Sequence, residues 1–150
     1  MQTKLSKHIA ALVRVNLDDL LLEAADPQDA VAHYLAEMDE GLAQAKDAVA
    51  TAVAQEHHLK QRLMAARADS AEWDAKTDAA LQTGDEEQAR HALKRKLSHE
   101  RVAKEIQEKL DRQKQVVAEM KASLSALQAK IEEAHHSGPG RVNKPRGGTP

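Results

Sequence analysis

Apolar positions between Pro27 and Leu81 recur at alternating steps of four and three: Val31, Leu35, Met38, Leu42, Ala45, Val49 and Ala52, then Leu59, Leu63, Ala66, Trp73 and Ala80. Glu56, Ser70 and Thr77 are polar interruptions at positions of the same repeat. Such a pattern is a heptad seam, one stripe of a long helix buried along a partner. At about 1.5 Å per residue that helix would be roughly 80 Å long, beyond an ordinary globular helix. Its start is marked by Asp26, a good N-cap, and by Pro27 at the first helical position, where a missing N–H costs nothing.

The seam cannot run past Ala80, because Gly84, Glu87, His91 and Lys94 would come inside. A second stripe begins at Ala89 and passes through Leu93, Leu97, Glu100, Ala103, Ile106, Leu110, Gln113, Val117, Met120, Leu124, Leu127 and Ile131. Between the two, Gly84 suits the left-handed residue that ends a helix, and Asp85 with Gln88 resembles a capping box for the next, ahead of Glu86. Folding the stripes back about this break sets Leu63 on Ile106, Leu59 on Leu110, Val49 on Met120, Leu42 on Leu127 and Met38 on Ile131. Small faces large at Ala52 with Val117 and Ala45 with Leu124. Polar meets polar at Glu56 with Gln113 and Ser70 with Glu100, and Trp73 falls opposite Leu97. Agreement of both kinds predicts an antiparallel hairpin over residues 26–135, in preference to a parallel homodimeric coiled coil. The fold class is all-α: a long helical hairpin preceded by an amphipathic helix.

That lead helix, residues 1–25, sets Leu5, Ile9, Leu12, Val13, Leu17 and Leu20 on one face, with Lys4, Lys7, His8 and Arg14 outside it. Helices of this pattern settle at a lipid interface; the same face would also pack on the hairpin as a third layer. The residues alone leave the two readings equal. Residues 136–150 contain "SGPGRVNKPRGGTP", with glycines, prolines, bases and no acids, which predicts a disordered basic tail.

Composition narrows the function. Charged residues make up 31% of the 150, mean hydropathy is −0.64, phenylalanine is absent, and Tyr34 and Trp73 are the aromatics, so thin helical layers are favoured over a thick globular core. A net charge of −2, with acids and bases interspersed and no aromatic stacking platform, argues against nucleic acid as a partner. The lack of cysteine excludes disulfides and thiolate chemistry. No apolar run approaches the roughly 20 residues of a spanning helix and no signal peptide is visible, so a cytoplasmic protein is expected.

Three candidate chemistries can be weighed. "TGDEEQAR" has one glycine, no following lysine and three consecutive acids, which is a hairpin tip and not a phosphate loop. The eight histidines include no i, i+4 pair suited to a helical zinc site, so no metal and no cofactor are expected. Nothing in the sequence resembles an NTPase motif, and a non-enzymatic protein is expected.

Three stretches carry a resemblance: "NLDDLLLEAADP" (16–27), "EWDAKTDAALQTGDEEQARHAL" (72–93) and the alanine-rich heptad helix between them. The particular residues are Asn16, Leu17, Leu20, Leu21, Asp26 and Pro27 at the junction, and Trp73, Ala80, Leu81, Gly84, Glu86, Ala89, Arg90, Ala92 and Leu93 at the tip. With them the chain resembles the phage shock protein A family, bacterial relatives of ESCRT-III and of the plastid vesicle-inducing protein. The resemblance implies a peripheral protein on the inner face of the cytoplasmic membrane that answers membrane stress and remodels or maintains the bilayer as a homo-oligomer or in co-assembly with longer relatives. It also implies a rival role, a soluble adaptor that holds an AAA+ transcription activator inactive. It favours anionic membrane lipids as the target of Lys4, Leu5, Lys7, Ile9, Leu12, Val13 and Arg14. Two features depart from the family: no helices follow the hairpin in this sequence, and the first aromatic is Tyr34, well inside the chain.

Overall fold

The computed structural model describes residues 4–137. The expected tail of residues 136–150 thus lies almost wholly outside the described residues. Four helices follow one another: α1 (Lys4–Arg14), α2 (Leu17–Glu23), α3 (Pro27–Thr83) and α4 (Glu86–Ser137). The described residues contain no strand, and α3 packs against α4 as a hairpin.

Local chemistry sets each boundary. The expected single lead helix is interrupted at Asn16, whose side chain accepts the Asp19 N–H at 3.1 Å and so caps α2. The Asp26 carboxylate accepts the Asp29 N–H at 3.2 Å, with Pro27 as the first residue of α3. At the tip, Gly84 takes φ +78, its N–H bonds to Leu81 O at 3.2 Å and the Asp85 N–H bonds to Ala80 O at 2.9 Å. These two bonds form a Schellman motif. Asp85 then caps α4 by accepting the Gln88 N–H at 3.1 Å. The reverse half of the expected capping box has nothing to do, because Ala80 already takes the Asp85 N–H.

Nothing lies within 4 Å of where a Gly84 Cβ would stand, so glycine is required there by conformation alone. Gly84→Ala should therefore cost about 1–2 kcal/mol, the penalty of a left-handed alanine. A urea titration would measure it; an unchanged midpoint would show that the turn can adopt another form.

Two compact units divide the chain. Residues 51–117 form one, built from two antiparallel helix segments: as the number falls along α3, it rises along α4, from Asp74 with Lys96, through Asp69 with His99 and Arg67 with Gln107, to Ala52 with Gln113. Its core is Leu63, Ala66, Ile106 and Leu110, with Leu59 and Ala103 half-buried against it, which is the expected register. The expected polar layer is present as well. Gln113 donates to the Ala52 carbonyl at 2.9 Å, and Glu56 pairs with Lys60 at 2.9 Å along its own helix.

Nearer the tip the second stripe differs from expectation. Leu93 and Leu97 are exposed, as is Glu100, while Ala89 and Ala92 are buried and Lys96 and His99 half-buried. The stripe thus runs 89, 92, 96, 99, 103, keeping regular steps of three and four, and Trp73 faces His91 and Arg95 rather than Leu97. The reason is steric. A turn as short as Gly84–Asp85 brings the two backbones close, and only Thr77, Ala80, Ala89 and Ala92 are small enough to stand between them.

The other unit takes in the chain up to Ala50 and from Ala118 onward. Its core joins Ile9, Leu12, Leu17, Tyr34, Met38, Ala45, Leu127 and Ala134, with Leu5, Val13, Leu20, Leu35, Leu42, Leu124 and Ile131 packed around it. Here α3 buries two adjacent stripes. Of the seam positions, Val31, Met38 and Ala45 are buried and Leu35 and Leu42 half-buried, and immediately beside them Tyr34 and Gly41 are buried as well.

Candidate membrane-contact site

The lead segment was expected to offer one apolar face and one cationic edge. Ile9 and Leu12 of α1 are 4% and 5% exposed, Leu5 and Val13 are half-buried, and all four belong to or pack on the core of this unit. In this state α1 lies on the hairpin as a third layer. Lys4, Lys7, His8 and Arg14 are exposed, and among the described residues none of them holds an ion pair. The α1 helix thus turns an unpaired cationic edge outward and its apolar side inward. Asp18 and Asp19 in the first turn of α2 are exposed nearby in sequence and weaken the positive field.

Two residues that sequence reasoning did not assign receive α1. The Tyr34 hydroxyl donates to the carbonyl of Leu12, one of the last carbonyls of α1, which otherwise accepts only a long bond from the Val15 N–H at 3.4 Å. Gly41 leaves room for Leu12: a Cβ there would meet Leu12 Cδ1 at 3.4 Å and Leu127 Cδ2 at 3.8 Å. A signal for both was present, since Tyr34 and Gly41 sit immediately beside the seam positions Leu35 and Leu42. Apolar or small residues at adjacent positions widen a stripe enough to contact a third helix.

Burying side chains such as Ile9 and Leu12 contributes about 1.5–3 kcal/mol each, and the tyrosine hydrogen bond about 1 kcal/mol. Ordering the helix opposes this with the loss of backbone entropy at each residue that it fixes.

Burial pushes the Tyr34 phenol up to about 12, and the Glu133 carboxylate on α4 adds to the shift. The neutral hydroxyl is favoured in the folded state, so its contribution is complete below pH 10.0, the ordinary tyrosine value, and is lost as pH rises from there towards 12. Tyr34 is the sole tyrosine, so its ultraviolet absorbance titration reports this group alone. A midpoint well above 10 in the folded protein is expected, and a midpoint near 10 would mean that the hydroxyl is not buried.

The tip is a second surface. The Trp73 ring has Lys76 Nζ at 4.2 Å and the Arg95 guanidinium at 5.2 Å, with His91 edge-on at 5.8 Å. The Lys96 ammonium is held above its ordinary range, first by its hydrogen bond to Asp74 and then by the charges of Asp74, Glu100 and Asp78. Arg90 pairs with Glu86 only at 3.9 Å between exposed side chains. Gly84 and Asp85 shape the turn, and Glu86 is the first residue of α4.

The fold is a helical hairpin with a short amphipathic helix laid upon it. Among the described residues no three His, Cys, Asp or Glu side chains gather as a metal site, and no helix is long and apolar enough to cross a membrane. The chain belongs to the PspA/IM30 family, whose pattern matches residues 4–137. It is 36% identical over 126 residues to a membrane-associated protein Vipp1 of Synechocystis, covering 84% of this chain and 47% of that one. A phage shock protein A homolog of Deinococcus radiodurans is 34% identical over 125 residues, 83% of this chain and 56% of the relative. The chloroplastic membrane-associated protein VIPP1 of rice is 31% identical over 134 residues, 89% and 42%. The chain spans about half the length of these relatives.

Proposed function

We propose that this protein is a peripheral, non-enzymatic membrane-binding member of its family, acting on the inner face of the cytoplasmic membrane to maintain or remodel it through multivalent assembly. The observation that carries the reading is the cationic edge of α1, Lys4, Lys7 and Arg14, exposed and without ion-pair partners among the described residues, on a helix whose other face is apolar. The names of the Vipp1 relatives, which call those proteins membrane-associated, support it.

Energetics explains the need for assembly. Each lysine or arginine near an anionic leaflet contributes about 1 kcal/mol, so three give roughly 3 kcal/mol, and insertion of the apolar face competes with its docking on the hairpin. One copy therefore binds weakly. Linked copies multiply avidity about 10²–10⁴-fold, from self-association or from co-assembly with longer relatives.

Flotation with phosphatidylglycerol vesicles at low salt tests the reading. Intact protein should float, and binding should weaken as salt screens the contact. Lys7→Gln with Arg14→Gln should lower affinity about 30-fold, the factor for two lost contacts of about 1 kcal/mol each. Failure of the intact protein to float, or flotation indifferent to this pair of substitutions, would sink the reading. Electron microscopy with and without the vesicles shows whether assembly accompanies binding.

A further inference from the structure

We propose that the hairpin holds α1 as a latch, so that the receiving surface around Tyr34 and Gly41 and a bilayer compete for the same side chains, Ile9 and Leu12. The inference rests on the membrane reading and adds its regulation. The face that would enter lipid is the face already buried: Ile9 and Leu12 are nearly inaccessible and share a core with Tyr34, Met38, Ala45 and Leu127. A helix has one apolar side, and this one cannot be on the hairpin and in a membrane at once.

Two features make the hairpin surface a seat for α1. Burial of apolar side chains is nondirectional and is similar on protein or in acyl chains, whereas a hydrogen bond and a fitted recess reward one arrangement. Tyr34 supplies the bond, from its hydroxyl to the Leu12 carbonyl, and Gly41 supplies the recess, where a Cβ would already stand 3.4 Å from Leu12 Cδ1. The segment joining α1 to α2 is also suited to release. Val15 and Asn16 lie between the helices, and the Asn16 side chain caps α2 by accepting the Asp19 N–H, so α2 keeps its own N-terminus when α1 leaves. The cationic edge points outward while the latch is closed. It can therefore meet headgroups before the apolar face is exposed, and the order of events is charge contact, release, then insertion.

When the binding-competent form is a minority, apparent affinity is the intrinsic affinity reduced by that minority fraction. Weakening the latch must then strengthen lipid binding. Tyr34→Phe removes the hydroxyl and keeps the ring; vesicle affinity should rise about five-fold, the factor equivalent to roughly 1 kcal/mol for one hydrogen bond. Gly41→Leu fills the recess and should raise affinity further. Gly41→Ala, whose added carbon makes only an ordinary contact, should leave it near that of the parent protein.

The measurements are binding to mixed phosphatidylglycerol and phosphatidylethanolamine vesicles and, without lipid, hydrogen exchange of the backbone amides of residues 8–14. Exchange should be slow in the parent and Gly41→Ala proteins, faster in Tyr34→Phe and fastest in Gly41→Leu, with affinity rising in that order. Binding that stays constant or falls while exchange quickens overturns the latch and leaves the membrane reading standing. Fast exchange in the parent protein overturns it as well. If none of the proteins binds vesicles, the membrane reading itself fails and the latch falls with it.

Discussion

Replacing Leu127 with alanine is expected to lower the free energy of unfolding by roughly 2–5 kcal/mol, a substantial share of the about 5–15 kcal/mol typical of a folded domain. Leu127 is 0% exposed and stands in the core where α1, α3 and α4 meet, beside Gly41. Alanine removes the buried methyl groups and leaves a cavity that three helices line. Met38, equally buried and flexible, is the neighbour best able to relax into the space, which would move the cost towards the lower end of the range. Urea unfolding followed by circular dichroism measures the change. A shift worth less than 1 kcal/mol would show that this core is not packed as described.

The second large effect separates two registers. Leu110→Ala should destabilise residues 51–117 by about 2–5 kcal/mol, because Leu110 is 3% exposed and packed with Leu63, Ala66 and Ile106. Leu59→Ala should cost less, since Leu59 only flanks that cluster. Leu97→Ala is the decisive comparison. The heptad pattern read from sequence puts Leu97 inside, at a cost similar to that of Leu110, whereas the structure leaves it 49% exposed, where substitutions stay within about 0.5 kcal/mol. Comparable losses at Leu97 and Leu110 would restore the sequence-derived stripe and displace Ala92 from the interior.

The contrast at Leu97 shows how the fold was legible and where it was not. Both helix caps of the hairpin, at Asp26 and Asp85, are local: a side-chain oxygen reaches an amide three residues on, so neighbouring letters suffice. The grouping of Leu63 and Leu59 with Ile106 and Leu110 is legible because large residues at strict heptad spacing leave one sensible alignment. Between Ala103 and the tip, heptad spacing points to Leu93 and Leu97, whereas the structure buries Ala92, because the turn brings two backbones too close for a leucine.

The candidate site divides in the same way. The amphipathic character of residues 4–14 is a property of spacing along one helix, and the sequence determined it, together with the hairpin, its turn at Gly84 and the family to which they point. Where the apolar face of that helix goes is a comparison between burial environments. Ile9 and Leu12 gain similar free energy from any apolar surface, so only tertiary structure, by setting Tyr34 against the Leu12 carbonyl and Gly41 beneath its side chain, decided that α1 rests on the hairpin.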